Sequence, residues 1–437
     1  MSVRAQNSRL HAAWSWRLAL SAFVPFAMAI YSPALRPLEA QAQTQQDGFR
    51  AFLQTLWPEA QKLGVTRAVF DAAFKDLAPD LTLPDLILPG REKAQPKGQA
   101  EFTRPPQDYL NKTQLERLSQ QGRSLALRHA DSLKRIETEI GVDGTAVLAI
   151  WGRETAFGTY KLQHDAIRVL ATQAYFGRRK DMFRAELLAA LRLLQDGIPR
   201  TTMKASWAGA MGLTQFMPTE FSNHGYDLDR DGRIDLFTSV PDALASAAKQ
   251  LKNKGWVLGL PWGFEVQRPD KADCALEGPG NGRKIADWVR LGYAPVKGRT
   301  FAPEQMAVEA YLMQPAGVYG PVFLVTENFK VIRRYNTSDL YALFVGNLTD
   351  RIAGLGDFHT PWAEPKMLAT RDIEEIQRLL LKSGQPVEKI DGKIGSGTRQ
   401  QIGAYQNAAK LTADCWPTEA LLKQMRAAYP AAIQAKP

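Results

Sequence analysis

Cysteine is nearly missing from this chain of 437 residues, which holds two, Cys274 and Cys415. Two thiols so widely separated make no disulfide framework, and neither has the neighbouring His or Cys of a zinc site. In an oxidising compartment they are able to tie the C-terminal part of the chain to its main body, but their spacing leaves pairing open. The apolar run Leu18 to Ile30 falls short of the roughly 20 residues that span a bilayer. No finger, ribonucleoprotein or phosphate-loop motif occurs, and the basic residues are dispersed. The net charge of +10 therefore favours an anionic partner without selecting nucleic acid.

A hydrophobic content of 45% with 23% charged residues describes an ordinary globular protein with enough apolar surface for real cores. The length suits two or three domains of roughly 150 residues each. A pI near 9.4 fits an anionic cell-wall polymer as well as it fits nucleic acid or a membrane surface. Arg4, Arg9 and Arg17 precede the apolar run, and Ala40-Gln-Ala42 supplies a small-residue exit. Residues 1–42 thus read as a cleavable export signal, with cleavage after Ala42 preferred to cleavage after Ala29. No Cys lies near either exit, which argues against a lipid anchor. The expected product is periplasmic, with no stable membrane span once the signal is removed.

The stretch Ala149-Ile-Trp-Gly-Arg-Glu-Thr-Ala-Phe-Gly158 places Glu154 near the end of a largely buried helix expected over about 143–156. Burying a carboxylate disfavours its charge and raises its pKa, which makes a proton donor suited to cleaving a glycosidic bond. The plainer reading is an ion pair with Arg153. Further on, Ser206-Trp-Ala-Gly-Ala-Met-Gly-Leu-Thr-Gln-Phe-Met-Pro-Thr219 combines glycines, which admit close approach, with Ser206, Gln215, Trp207 and Phe216. Amide side chains beside flat apolar faces suit sugars; tight helix packing is the alternative. Asp227-Leu-Asp-Arg-Asp-Gly-Arg-Ile-Asp235 has the carboxylate spacing of an EF-hand loop, with Gly232 at the bend. Thr238 stands where that loop has its bidentate Glu, and Asp242 is the substitute. The alternative there is an Asx-rich turn without metal.

Helices are also expected over about 112–140 and 180–196 and from Val240, where Pro241 suits the first turn. Residues 81–106 should be extended. Short β runs occur at Phe264–Gln267 and Pro321–Thr326, and Tyr335, Asn336 and Tyr341 form a second aromatic-amide cluster. Past a linker rich in Gly and Pro, Ile373, Ile376, Leu379 and Leu380 mark one amphipathic helix. A Gly-rich turn at Asp391–Thr398 leads into another, making a small helical module.

Together these pieces resemble the B-type lytic murein transglycosylases, glycoside hydrolase family 103, from about Asp47 to Asp357. The resemblance implies a mainly α fold with a small β part (α+β), with a lysozyme-like catalytic core over 43–357. It makes Glu154 the single catalytic acid. Ser206, Gln215 and Phe216 become glycan contacts, as do Tyr335, Asn336 and Tyr341, with Tyr109 as the remaining cleft tyrosine. It implies a structural Ca²⁺ held by Asp227, Asp229 and Asp231, the carbonyl of Arg233, and Asp242, with Asp235 in the same loop. A tyrosine seen in some members appears here as Gln250, which bears on one sugar subsite.

After a linker at 358–366, residues 367–430 resemble a three-helix peptidoglycan-binding domain, through Ile376–Leu380, Asp391–Gly395, Thr398-Arg399 and Tyr405-Gln406. That domain's usual later Asp-Gly is Asp414-Cys415 here. Ordinary glycosidases use two carboxylates; this chain offers Glu154, while Asp165 and Glu186 have no comparable setting. The implied chemistry is cleavage between N-acetylmuramic acid and N-acetylglucosamine, with the sugar's own C6 hydroxyl closing to a 1,6-anhydro end. The implied partners are peptidoglycan glycan strands and, as candidates, cell-wall synthesis proteins. A muramidase of the same bond and a catalytically silent wall-binding scaffold are the competing readings.

Overall fold

The computed structural model describes residues 36–88, 104–270, 272–298, 300–363 and 366–430. It divides at Gly48. Of the N-terminal unit, only helical residues 36–48 are described. The apolar run and the exit after Ala29 lie outside the described residues, while Ala40–Ala42 fall in a helix, α1 (Arg36–Thr55).

The main unit, Phe49–Pro437, takes in the rest of α1, then α2 (Trp57–Lys62) and α3 (Arg67–Phe74), as the apolar pattern from Phe49 to Phe74 predicts. Most of the expected extended segment lies outside the described residues. Chain order then gives α4 (Pro106–Tyr109), α5 (Lys112–Arg128) and α6 (Ala130–Arg135). A single π turn (Ile136–Ile140) follows, so the expected helix 112–140 is broken at His129. Next come α7 (Gly144–Thr155), β1 (His164–Asp165), α8 (Ala166–Phe176), α9 (Lys180–Gln195), β2 (Lys204–Ala205), α10 (Pro218–His224) and α11 (Val240–Asn253).

A β-rich lobe follows, with β3 (Gly263–Gln267), β4 (Arg283–Lys284), α12 (Ile285–Arg290), β5 (Ala294–Pro295), β6 (Glu309–Met313) and β7 (Val322–Val325). Its antiparallel sheet runs β4-β6-β7-β3-β5, with Leu324 opposite both Phe264 and Leu312. Then α13 (Glu327–Tyr335) and α14 (Asp339–Ile352) return to the helical core. Last come α15 (Thr370–Lys382), α16 (Ser396–Ala408) and α17 (Glu419–Ala428).

Side chains fix where these helices begin. Asn111, Asp165, Ser239 and Ser338 each accept a hydrogen bond from a backbone N–H in the first turn of α5, α8, α11 and α14. Such a cap is worth about 1 kcal/mol. The main core gathers α7, α8, α9, α11 and α14 around fully buried Leu148, Ile150, Leu170, Leu187 and Phe344. A second cluster, with Trp288 and Tyr293, lies in the β-rich lobe, and Ile376, Leu380, Ile402 and Met425 close a third inside the last three helices.

Candidate active site

Residues 146–152 of α7 are all buried, so the helix is fixed on every side and delivers Glu154 from its last turn. Gly152 is required there, because a Cβ would come within 2.7 Å of the Phe157 ring. That ring folds back over the helix because Ala156 and Phe157 both take left-handed backbone conformations, at φ 48° and 57°. Each such residue costs of order 1 kcal/mol or more, and clustering of this kind is common where a site must be held in one shape. Thr155 fastens the next layer: its hydroxyl donates to the Leu213 carbonyl at 2.6 Å and accepts from the Gly158 N–H.

Glu154 is half-buried, and its Oε1 accepts a hydrogen bond from the Tyr341 hydroxyl at 2.5 Å. Burial, reinforced by the negative charge of Glu154, pushes the Tyr341 phenol well above its ordinary pKa, so it stays a donor. Arg153 feels the charge of Glu154 and also reaches further: Nη2 donates to the Tyr109 hydroxyl at 2.6 Å, and the guanidinium lies over the rings of Tyr109, Tyr341 and Phe344. Tyr109, at the end of α4, thereby joins the same cluster.

The stretch after β2 forms a tight reverse turn. Met211 and Phe216 exchange both backbone hydrogen bonds at 2.8 Å, and isolated bridges run from Ala205 through Met211 to Phe216. Ser206 Oγ accepts from the N–H groups of Ala208 and Ala210, shaping the entry to the turn. Gln215 sits at its tip with φ 56°, its side-chain amide donating to the Gly212 carbonyl. Phe216 is buried and meets Tyr335 edge to face at 6.3 Å. The Tyr335 hydroxyl donates to the Thr214 carbonyl at 2.5 Å, and its ring stacks near-parallel on Tyr341 at 6.5 Å. Asn336 ends α13 in extended conformation beside them. Glu154, Tyr109, Phe216, Tyr335 and Tyr341 thus belong to one linked cluster, with Arg153 between Tyr109 and Tyr341; Gln215 and Asn336 adjoin it as chain neighbours of Phe216 and Tyr335, and Ser206 lies at its edge through the turn.

Asp165 and Glu186 are occupied elsewhere. Asp165 caps α8 and pairs with Arg200 at 2.8 Å, and Glu186 accepts from both the N–H and hydroxyl of Thr219. Gln250 is buried and donates to Glu220.

The acidic loop connects α10 to α11 as a helix–loop–helix. Carboxylate oxygens of Asp227, Asp229 and Asp242 lie within 4.8 Å of one another. Asp242 is buried and accepts from the N–H groups of Leu228, Asp229 and Asp235. Burial nonetheless pushes its carboxyl above the ordinary value, with the charge of Asp229 acting in the same direction. Asp231 is exposed and accepts from the Arg233 N–H, while Asp235 accepts from the N–H groups of Phe237 and Thr238 and from the Thr238 hydroxyl. The structure thus brings three of the expected ligands together, and neither Asp231 nor Asp235 joins their carboxylates. This loop also supports the reverse turn: the Leu213 N–H donates to the Leu236 carbonyl at 2.9 Å. Gly212, at φ +72°, lies so close that a Cβ would meet that carbonyl oxygen at 2.6 Å.

Residues 48–350 match the family model described as the transglycosylase SLT domain. The chain belongs to that family. It is a lytic transglycosylase of the MltB/SltB kind. SltB3 from Pseudomonas aeruginosa, solved in complex with NAG-anhNAM-pentapeptide, is 36% identical, with a TM-score of 0.76 over 86% of this chain and 99% of that one. Soluble lytic transglycosylase SltB1 from the same organism is 26% identical, at TM-score 0.55, over 70% of this chain and 98% of that one. The membrane-bound lytic murein transglycosylase B of Escherichia coli is 31% identical over 232 residues, 52% of this chain and 61% of that protein.

Residues 370–425 match a putative peptidoglycan-binding domain, which covers the last three helices. In this transglycosylase that domain is bolted to the catalytic part. Cys274 and Cys415 form a disulfide, answering the question their spacing left open. Cys415 takes a left-handed conformation, φ 53°, where glycine is the usual residue. Phe358 packs on Trp262 and Phe323, and the N–H groups of His359 and Thr360 donate to Glu265, so this stretch of the expected linker is strapped down. Sequence reasoning missed Thr155 as a fastener and Arg153 as the partner of Tyr109. Adjacency to Glu154 was the only available signal for Arg153; it left out Tyr109, while the charge of Glu154 does act on the guanidinium.

Proposed function

We propose that Glu154 serves as acid and then base in cleaving the bond between N-acetylmuramic acid and N-acetylglucosamine, leaving a 1,6-anhydro end. The observation that carries this reading is the Tyr341 hydroxyl aimed at Glu154, beside the stacked Tyr335 and the Phe216 ring that meets it. Protonated Glu154 donates to the leaving glycosidic oxygen as the C1–O bond breaks, and the 2-acetamido oxygen of the muramic sugar steadies the cationic C1. The ionised carboxylate then accepts the proton of the C6 hydroxyl as its oxygen bonds to C1. Atoms balance without water or a second carboxylate, which agrees with Asp165 and Glu186 being tied up in other contacts. Tyr341, held as a neutral phenol, orients Glu154 and stabilises the carboxylate formed as the first step takes its proton.

Tyr109, Ser206, Gln215, Phe216, Tyr335 and Asn336 form the glycan-binding surface, by hydrogen bonding and by excluding water that would divert the reaction to hydrolysis. Asp227, Asp229 and Asp242 would hold a Ca²⁺; Asp231, set apart from their carboxylates, would have to turn in to complete its oxygen shell with the Arg233 carbonyl. Three converging carboxylates, one of them buried, suit a hard divalent cation. When bound, that ion steadies the loop behind the reverse turn and takes no part in the chemistry. Residues 43–357 act as the catalytic domain and 367–430 hold the wall. A wall substrate and the disulfide agree with a periplasmic site of action, and among the described residues no helix is long and apolar enough to cross a membrane. Glu154→Gln is expected to keep folding and sacculus binding while releasing no anhydro-muropeptide, read by mass spectrometry. Near-normal release from that variant would refute the assignment, and reducing ends in place of anhydro ends would make the protein a muramidase.

A further inference from the structure

Arg399 of the peptidoglycan-binding domain reaches the catalytic corner. Arg399, on α16, is 2% exposed, and its Nε and Nη2 donate to the carboxylate of Glu277, which is wholly buried. The same Nη2 lies 3.5 Å from Oδ2 of Asp339, the first residue of α14. The other oxygen of Asp339 lies 2.8 Å from Nε of Arg333, on the helix that carries Tyr335. Asp339 therefore sits between one cation from the catalytic part and one from the wall-binding domain. Next to it, Ser338 accepts from the Tyr341 N–H, and Tyr341 donates to Glu154. The corner between α13 and α14 is short and has one internal backbone bond, from Ser338 N–H to the Asn336 carbonyl.

We propose that Arg399 is a positioning residue for the transglycosylase reaction, holding Asp339 and hence the first turn of α14, so that the Tyr341 hydroxyl meets Glu154. Glu277 alone would satisfy Arg399 as a docking contact. The second carboxylate, at the base of the helix that carries Tyr341, is what gives the pair a role in catalysis. On this view the wall-binding domain completes the active site from behind. The inference rests on the assignment of Glu154.

The test uses the full mature chain with a NAG–NAM tetrasaccharide bearing pentapeptides, comparing Arg399→Met, Arg399→Lys, Asp339→Asn and the Met/Asn double variant. A misplacement of about 1 Å costs up to roughly 100-fold in rate, so Arg399→Met and Asp339→Asn should each lower kcat by roughly 10- to 100-fold. KM and co-sedimentation with sacculi should stay within about twofold, since the loss falls on turnover and not on binding. The double variant should be no slower than the slower single, because both break one link. Arg399→Lys, which keeps a cation between the carboxylates, should recover part of the loss. Should Arg399→Met fail to fold because Glu277 is orphaned, Asp339→Asn carries the test alone, since it leaves the Glu277–Arg399 pair and the disulfide intact. Wild-type kcat in folded Arg399→Met or in Asp339→Asn, or a loss confined to KM, overturns the proposal. Glu154→Gln in the same assay separates the two ideas: if it is inactive while Asp339→Asn is fully active, only the positioning role fails.

Discussion

Replacing Tyr341 by Phe removes one oxygen from the candidate site and little else. The ring is buried, stacked on Tyr335, and under the cation of Arg153, and Phe keeps all of that packing. What disappears is the hydroxyl that donates to Glu154 Oε1 at 2.5 Å. A hydrogen bond to a charged group is worth about 1.5–3 kcal/mol. Glu154 is half-buried and open enough for water to replace part of that, so the lower half of the range applies. At 1.36 kcal/mol per decade, kcat should fall roughly 10- to 50-fold. Removing the phenol oxygen leaves the packing of the ring intact, so thermal stability should hardly change. Steady-state release of anhydro-muropeptides from purified sacculi, paired with a melting curve on the same preparation, makes the measurement. Unchanged turnover would show that Glu154 is oriented by something else. A melting point collapsed by many degrees would show that the hydroxyl serves the fold and not the reaction.

Two further outcomes follow from groups outside the immediate cluster. Asp350, near the end of α14, accepts from the Trp262 indole N–H, and burial pushes its carboxyl from 3.8 to about 7. A raised acid favours folding while protonated, so its contribution is complete below the unfolded value and is lost as pH rises from about 4 through 7. The shift bounds this at about 4 kcal/mol. Asp350→Asn keeps an acceptor for Trp262 and should therefore melt higher than the parent at pH 8 and alike at pH 4; equal curves at both would refute it. Removing Ca²⁺ with a chelator should lower the melting temperature of the parent, through the loop that carries Leu236 behind Gly212 and Leu213, and should leave Asp227→Asn/Asp229→Asn nearly unmoved. A parent indifferent to both chelator and added calcium, by melting and by calorimetric titration, would leave the three carboxylates as an Asx-rich turn.

Local chemistry made much of this protein legible from its residues. Buried Ala146–Trp151 announced a helix with no solvent face, Pro241 marked the start of α11, and short β-like runs bounded by Gly and Pro marked β3 and β7. The two-residue strands β1, β2, β4 and β5 went unread, because no periodicity can show in so short a span and their partners decide them. The break at His129 was hidden as well, because α5 and the π turn share one apolar rhythm. At the candidate site, residue types could suggest what would suit a sugar but not what holds those residues in place. Thr155, Asp339 and Arg399 bear ordinary signatures, a helix-end threonine and an ion pair, and become informative only when Leu213, Tyr341 and Glu277 are seen beside them. Contacts spanning 58 residues, as from Thr155 to Leu213, or 122, as from Glu277 to Arg399, leave no local trace. Residues whose chemistry suits a substrate are therefore the easier ones to read, while those that hold them in place come from wherever the fold brings a partner.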